Sequence, residues 1–491
     1  MREIKFIVLL ILSIGFTSTS ISATTDPYSK RMADAQMVRS GAQVTWDYPN
    51  GLFVESVLKV YTLYGGSSYY NYALNYAKAT VNATTGKIGT KYKFTDYTLD
   101  NINPGMFLLD IYNRTGSDQY KIALDTLKKQ LQRHPRTSEG GFWHKNSYPN
   151  QMWLDGIYMA SRFYAAYEKQ FDNGLSYDDV AKQFTLIHSH TYDSNYQLNY
   201  HAWSATPTDA NSFWAKQADP FKGCSPEFWA RGMGWYAAAL VDVLEILPAD
   251  YAKRQDLITI LNQVMAGIKR WQDPVSGCWY QLLRYDNTLV SNGKHNYLEA
   301  SASSMFTYAI LKAVRLGLIS KADYQTVGTK AYQGLITNFI TEDTSGNLSI
   351  NQICSSAGVG PASNPTRDGS INYYLNGSDA GLIVSNDLKG VGPFIMASVE
   401  YEMSITTATE NEEILTKKNN FRINTTDTEI TIQSNRQNIS EVALYNIQGV
   451  EINHWKGNDQ STVNFSLPNI QGGIYFLQIN RNEFKKIFIT V

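Results

Sequence analysis

Cysteine is scarce in this chain. Only Cys224, Cys278 and Cys354 occur, odd in number and far apart, which excludes a disulfide scaffold and leaves room for one bridge at most. An excess of charge of one sign is also missing. Lys and Arg number 43 against 44 Asp and Glu, a net charge of -1, so no basic field exists to hold nucleic acid or an anionic membrane. The apolar run Phe6 to Phe16 is too short to span a bilayer comfortably, so no integral membrane segment is expected in the mature chain. With Arg2 and Lys5 before it and Ile21-Ser-Ala23 after it, residues 1–23 read as an export signal. No cysteine follows to carry a lipid anchor. No phosphate loop, Cys/His nucleophile arrangement or zinc spacing is present, so no nucleotide, catalytic metal or other cofactor is expected.

Aromatic residues, by contrast, are plentiful: 33 Tyr and 10 Trp. That suits a sugar-lined cleft and ordinary core packing equally well. The informative concentration is Gly140-Gly-Phe-Trp-His-Lys145, followed closely by Gln151-Met-Trp-Leu-Asp-Gly-Ile-Tyr-Met-Ala-Ser-Arg-Phe163. Here a histidine, two tryptophans and a carboxylate stand at the mouth of a segment with helical period. Tryptophan faces match the apolar faces of sugar rings, and an aspartate among them can do acid/base chemistry. His144 and Asp155 are eleven apart, with no third ligand at close spacing, so this is not a metal signature. A carbohydrate-active enzyme is the first expectation.

Residues 24–403 carry about a dozen segments of helical period, among them Val54 to Tyr64, Met152 to Gln170, Trp229 to Leu247 and Leu298 to Leu318. Some run through contiguous apolar stretches, such as Trp235-Tyr-Ala-Ala-Ala-Leu-Val-Asp-Val-Leu244, and should be buried on more than one side. Their partners are amphipathic, as in Lys121 to Leu131. Alternation of the two kinds predicts an all-α (α/α)6 barrel; a stacked helical solenoid is the alternative. The long connection from Tyr192 to Phe228 favours the barrel, with functional residues gathered in its loops. Residues 404–419 are polar and read as a linker. From 420 to 491 short alternating strands, such as Glu429-Ile-Thr-Ile-Gln433 and Glu441-Val-Ala-Leu-Tyr445, separated by turns at Gln448-Gly449 and Gln471-Gly-Gly473, predict a small all-β, sandwich-like domain. It has no clustered His, Asp or Glu that could form an active site.

Five blocks then carry a resemblance: Tyr97-Thr-Leu-Asp-Asn-Ile-Asn-Pro-Gly105, Gly140 to Phe163, Tyr200-His-Ala-Trp203, Ser225-Pro-Glu-Phe-Trp-Ala-Arg-Gly-Met-Gly-Trp235, and Asn386-Asp-Leu-Lys-Gly-Val-Gly-Pro-Phe394. In this order they resemble the unsaturated rhamnogalacturonyl hydrolases (glycoside hydrolase family 105), relatives of the unsaturated glucuronyl hydrolases. The resemblance implies release of 4,5-unsaturated galacturonic acid from the non-reducing end of rhamnogalacturonan oligosaccharides, by acid/base hydration of the C4=C5 bond. Such ends are left by polysaccharide lyases. It further implies Asp155 as the proton donor, in need of a raised pKa, Asp100 as the second essential carboxylate, and His144 and His201 as pocket histidines. Arg231 and Trp235 lie one helical turn apart. The arginine fork can clamp a uronate carboxylate, while Trp235 either stacks on a sugar or fills the barrel. Trp143 and Trp153 are the better stacking candidates, and Tyr158 and Met159 fit inner-wall packing.

One departure concerns the partner sugar. Ser204-Ala-Thr-Pro207 follows the Tyr200–Trp203 block where family members tend to carry an acidic residue, and the loop that follows holds Asp209 and Asp219. Rhamnose is the default partner; a glucuronyl product of another lyase is the closest competitor. An (α/α)6 polysaccharide lyase and a non-catalytic sugar-binding protein are the rival classes. In the tail, Tyr445-Asn-Ile-Gln-Gly449, Leu467 to Phe476 and Lys485-Lys-Ile-Phe-Ile489 resemble the C-terminal sorting domain of the type IX secretion system. Phe421-Arg-Ile-Asn424 stands where that family's Tyr-Pro-Asn-Pro element is usual, and a sugar-binding β-sandwich is the alternative. The likeness implies a secreted or surface-attached protein, with the periplasm as the alternative location. Its expected partners are the secretion machinery and unsaturated uronic-acid oligosaccharides.

Overall fold

The computed structural model describes residues 26–89, 91–418 and 421–489, the last range apart from 426–428, 435–437, 447–449, 468–472 and 481–482. The expected export signal, the turn at 448–449 and Gln471-Gly472 of the other expected turn lie outside the described residues. The chain forms two compact units that divide between Glu400 and Tyr401.

Helices build the first unit: α1 (Tyr28–Ser40), α2 (Tyr48–Tyr64), α3 (Ser67–Thr80), α4 (Gly105–Thr115), α5 (Asp118–Arg133), α6 (Leu154–Phe171) and α7 (Tyr177–Thr191). After them come α8 (Ala230–Ile246), α9 (Arg254–Arg270), α10 (Ala300–Arg315), α11 (Lys321–Phe339), the short α12 (Ile371–Asn376) and α13 (Leu388–Lys418). Neighbours in the inner ring are α2, α4, α6, α8 and α10. The ring closes through α13, which presses Gly392 onto Leu52 of α2 and takes Arg315 of α10 onto Glu400 at 2.7 Å. Outer helices α3, α5, α7, α9 and α11 pack on α2, α4, α6, α8 and α10 in turn, and α1 also packs on α2. This is the expected (α/α)6 barrel. Its two kinds of helix follow their sequences: every residue of α8 from Ala230 to Leu244 is buried, whereas α5 buries Tyr120, Ala123, Leu124, Leu127 and Leu131 along one stripe.

The helices depart most from expectation in α2, α12 and α13; the helix expected from Met152 begins at Leu154, after a short strand. Helix α2 starts two turns before Val54, because Asp47 caps it by accepting the Asn50 amide at 3.0 Å and Pro49 fits its first turn. Helix α12 spans six residues, too few for a period to show. Helix α13 runs through the polar stretch read as a linker. That stretch holds Glu, Lys, Ala and Leu with no Gly or Pro after Pro393, so nothing in it breaks a helix already started. All three cysteines are buried and free, so the one bridge left open does not form.

A buried ionic network ties the inner helices together. Arg162 of α6 pairs with Glu55 of α2 and, at 2.6 Å, with Asp242 of α8. Asp242 also accepts from Tyr308 and Lys312 of α10, each at 2.6 Å. Burial pushes the Asp242 carboxyl up, but Lys312 and Arg162 outweigh it and hold the group well below the usual carboxylate range.

The second unit is all-β. Strands Phe421–Thr425, Glu429–Ser434 and Thr462–Ser466 form one antiparallel sheet in that order. Glu451–Gln460, Ile439–Tyr445, Gly473–Ile479 and Glu483–Ile489 form the other. Ile430, Ile432, Val442, Leu444, Phe465 and Leu477 share one core, the buried half of the expected alternation.

Candidate active site

Backbone hydrogen bonds bring the sequence blocks to one end of the barrel. Strand Gln151–Trp153 pairs antiparallel with Ala202–Ser204, and the Leu154 amide continues the ladder to the His201 carbonyl at 3.0 Å. That register sets His201 beside Asp155, in the first turn of α6. The His144 amide donates to the Gln151 carbonyl at 2.8 Å, and the Leu99 amide to the His144 carbonyl at 3.1 Å. Asp100, in the short 3-10 turn Leu99–Asn101, is thereby held over the same end.

The side chains form two linked groups. In the first, Asp155 Oδ2 lies 3.0 Å from His201 Nε2, and His201 Nδ1 lies 2.8 Å from the Tyr374 hydroxyl. In the second, Lys145 Nζ is 2.6 Å from Asp100 Oδ2, and His144 Nε2 is 3.7 Å from Asp100 Oδ1. His144 joins the groups, because its ring lies in the field of both carboxylates. The second group opens onto a cavity of about 650 Å³, lined among others by Trp46, Asp47, Tyr48, Lys91, Asp100 and Lys145; Asp155 and His201 lie outside its lining.

Electrostatics separate the members. Burial drives the His144 imidazole down to about 4, despite Asp100, so it is neutral near neutral pH. Burial raises the Asp100 carboxyl, but Lys145 and His144 more than offset this and hold it below the usual range. Desolvation works against the Lys145 ammonium, and Asp100 overrides it. Burial keeps the Tyr374 hydroxyl well above its ordinary value, hence neutral.

The remaining anticipated residues are placed less openly. Trp153 is 4 % exposed; His144 stacks on it at 4.3 Å, Tyr148 lies at 4.6 Å, and the Gly358 backbone presses on its edge. It is a wall of the site, not an open platform. Trp235 is buried between Tyr158, at 4.6 Å, and Tyr48, at 6.3 Å, and fills the barrel. Trp143 is half-buried, and its carbonyl accepts from His134 Nε2 at 2.8 Å. Buried Arg231 donates to the carbonyls of Cys354 and Ser355 and to Ser301, and lies over the Trp229 ring. Ser204, at the departure from the family pattern, bonds Ser212 at 2.7 Å, and Asp209 caps a 3-10 turn. Tyr158 and Met159 are buried on α6, as expected of inner-wall residues. Sequence reasoning passed over Lys145, Tyr374 and Tyr48. Lys145 follows a pocket histidine directly, which is a usable signal; the two tyrosines had none.

A closed double ring of helices thus carries paired carboxylates and histidines at one end, and its family makes the chain a glycoside hydrolase. Residues 20–405 match Glycosyl Hydrolase Family 88, and the chain belongs to that family. A glycoside hydrolase of family 105 from C. acetobutylicum is 39% identical, with a TM-score of 0.70 over 77% of this chain and 99% of that one. Protein Atu3128 of Agrobacterium fabrum is 37% identical over 226 residues, 45% of this chain and 89% of its own length. The unsaturated 3S-rhamnoglycuronyl hydrolase of Formosa agariphila is 25% identical over 187 residues, 37% of this chain and 45% of that protein. Residues 424–490 match a secretion system C-terminal sorting domain. The tail therefore marks the protein for export, released or held at the cell surface.

Proposed function

We propose that this protein removes a 4,5-unsaturated uronic acid from the non-reducing end of lyase-generated oligosaccharides, with Asp155 as the proton donor. The observation that carries this reading is the Tyr374–His201–Asp155 chain beside the Asp100–Lys145 pair. A C4=C5 bond conjugated to the ring oxygen is an enol ether. Asp155 delivers a proton to C4, and positive charge develops at C5 and the ring oxygen. The resulting carboxylate takes a proton from the water that adds to C5. The C5 hemiketal opens to a ketone, leaving a hemiacetal at C1 that expels the remaining sugar with the glycosidic oxygen. No group attacks the anomeric carbon.

The other residues suit this chemistry. His201 can donate Nε2–H to ionised Asp155, or accept from its protonated form, while Tyr374 bonds the opposite nitrogen in either tautomer. Neutral His144 is a hydrogen-bonding group for sugar or water. Asp100 is a fixed negative charge for substrate hydroxyls. Lys145 presents an ammonium to the cavity and is the cation we assign to the substrate carboxylate. Arg231, turned to backbone carbonyls, positions the Cys354–Ser355 turn.

The partner sugar has two readings. The function named for the Formosa agariphila relative, an unsaturated 3S-rhamnoglycuronyl hydrolase, favours an unsaturated uronyl end from a lyase product other than rhamnogalacturonan. The five sequence blocks and the 39% identity to a family 105 enzyme support a rhamnogalacturonyl end. Lyase products of a rhamnogalacturonan and of a glucuronate-rhamnose polymer carry the same 4,5-unsaturated uronate, because elimination removes the C4 centre that distinguishes the two acids. They differ only in its linkage to rhamnose. Both disaccharides should be mixed with purified protein while the ultraviolet absorbance of the double bond is followed. Loss on either supports the reaction and identifies the substrate. No loss on both, or a rise on intact polymer, would overturn it in favour of binding alone or a lyase.

A further inference from the structure

Beside the cavity over Asp100 runs a second one, of about 670 Å³. Its lining includes Lys78, Lys87, Lys91 and Lys93 and no carboxylate. Lys91 lines both cavities, so the two are neighbours on either side of it. All four lysines are exposed, and among the described residues none forms an ion pair. In a chain of net charge -1, these ammonium groups on one short segment are a local field that the overall balance hides, although Lys91 also acts on the Asp47 carboxyl across the rim.

The groove is built rather than draped. Val81 bridges Ile88, the Asn82 amide donates to the Lys87 carbonyl at 2.9 Å, and Asn82 Oδ1 accepts the Thr84 and Thr85 amides. Gly86, at φ +65°, closes this turn where a Cβ would lie 2.6 Å from Ile122 Cβ of α5. The far wall is tied to the active site: the Tyr92 hydroxyl donates to Gln130 Oε1 at 2.9 Å, and Gln130 Nε2 donates to the Thr98 carbonyl at 3.0 Å. Thr98 immediately precedes the turn that carries Asp100.

We infer that this lysine groove is a binding subsite for the acidic remainder of a longer oligosaccharide, its uronate or sulfate groups, while the unsaturated end occupies the cavity over Asp100 and Lys145. The inference rests on the proposed function for its polarity. The oligosaccharide enters end-first, and what lies beyond the scissile linkage must leave the cavity across its rim. Lys91 stands on that rim. The enzyme so equipped turns over unsaturated tetra- and hexasaccharides whose remainder is acidic in preference to those of the same length whose remainder is neutral.

The test uses the full chain and the triple variant Lys78→Gln/Lys87→Gln/Lys93→Gln, which leaves Lys91 in place. Binding is measured with acidic hexasaccharides saturated at the non-reducing end, one carrying uronates and one sulfates, and with a neutral hexasaccharide, at low and high salt. The expected result is affinity for at least one acidic probe that falls with salt and drops about fivefold in the variant. Neutral binding and turnover of the unsaturated disaccharide stay unchanged. Equal affinity of variant and wild type for both acidic probes, or equally tight binding of the neutral one, would overturn the inference. Because these probes cannot be hydrated, the outcome stands even if the disaccharide is not a substrate, and thermal midpoints of the two proteins check that the variant is folded.

Discussion

The Asp155 carboxylate and the His201 imidazole meet at 3.0 Å, although 46 residues separate them in sequence. The two-stranded ladder beneath them, Trp153 opposite Ala202, sets this distance, and the Tyr374 hydroxyl fixes the far side of the imidazole at 2.8 Å. Replacing Tyr374 by Phe removes that hold without emptying the space. We expect kcat to fall about tenfold with KM nearly unchanged, and the pH profile of kcat to shift, because the buried imidazole loses the partner of its Nδ1 and its orientation toward Asp155 is no longer held. An unaltered pH profile would show that Tyr374 only packs.

Gly232 offers a cleaner probe of the same contact. A Cβ there would lie 3.2 Å from His201 Cδ2 and 3.7 Å from Asp155 Oδ2. Alanine favours the helix by about 1 kcal/mol over glycine, while the crowded imidazole must give way by a few tenths of an ångström. Gly232→Ala should therefore keep or raise the melting temperature and lower kcat about tenfold. Joint loss of stability and activity would contradict this.

Lys145 is assigned to the substrate carboxylate and bonds Asp100 at 2.6 Å. Lys145→Met should raise KM for the uronyl disaccharide by about tenfold or more, through lost charge-assisted bonding. An amide at the substrate's C6 should bind weakly to wild type and be nearly indifferent to the change. Steady-state kinetics with the two substrates decide it.

What could be read before the fold was known follows from how each feature is encoded. Contiguous apolar runs such as that in α8 differ visibly from the single stripe of α5, so inner and outer helices were legible. Asp155 and His201 were legible because each lies in an aromatic block. Tyr374 was not, since the six residues of α12 carry no period. Tyr48 was hidden by Pro49-Asn-Gly51, which reads as a turn although Asp47 caps a helix there. Lys145 ends the Gly140–Lys145 block, yet a lysine beside glycines and aromatics looks like solvated surface. The roles of Trp153 and Trp235 depend on what covers them, His144 and Gly358 in one case and Tyr158 in the other, and such tertiary neighbours leave no local trace.

Acid should weaken the fold in a defined window. Burial pushes His134, His144 and His188 from the ordinary 6.5 down to about 4. Above the unfolded value these residues are neutral in both states and their contribution is fully present. As pH falls toward 4 the unfolded chain binds about three protons that the folded chain does not, so stability is lost across that interval. Asp242 and Asp100, both held low by cations, add a loss of the same sign at lower pH. Denaturant midpoints measured from neutral pH down to about 4 should fall steadily; a flat profile would contradict the buried, neutral histidines.

Asp242 receives Arg162, Lys312 and Tyr308 inside the barrel. Asp242→Asn leaves two buried cations short of their counter-charge and should cost about 3–5 kcal/mol. Substrate turnover by the fraction still folded should be near normal. Thermal unfolding alongside the disaccharide assay separates the two effects.

The most direct test of the account compares wild type and Asp155→Asn on one unsaturated uronyl disaccharide, following the double-bond absorbance and, separately, binding. The account predicts that wild type consumes the double bond, whereas Asp155→Asn still binds the sugar but consumes it at least about a thousandfold more slowly. Consumption by the variant at the wild-type rate would remove Asp155 from the reaction and contradict the mechanism.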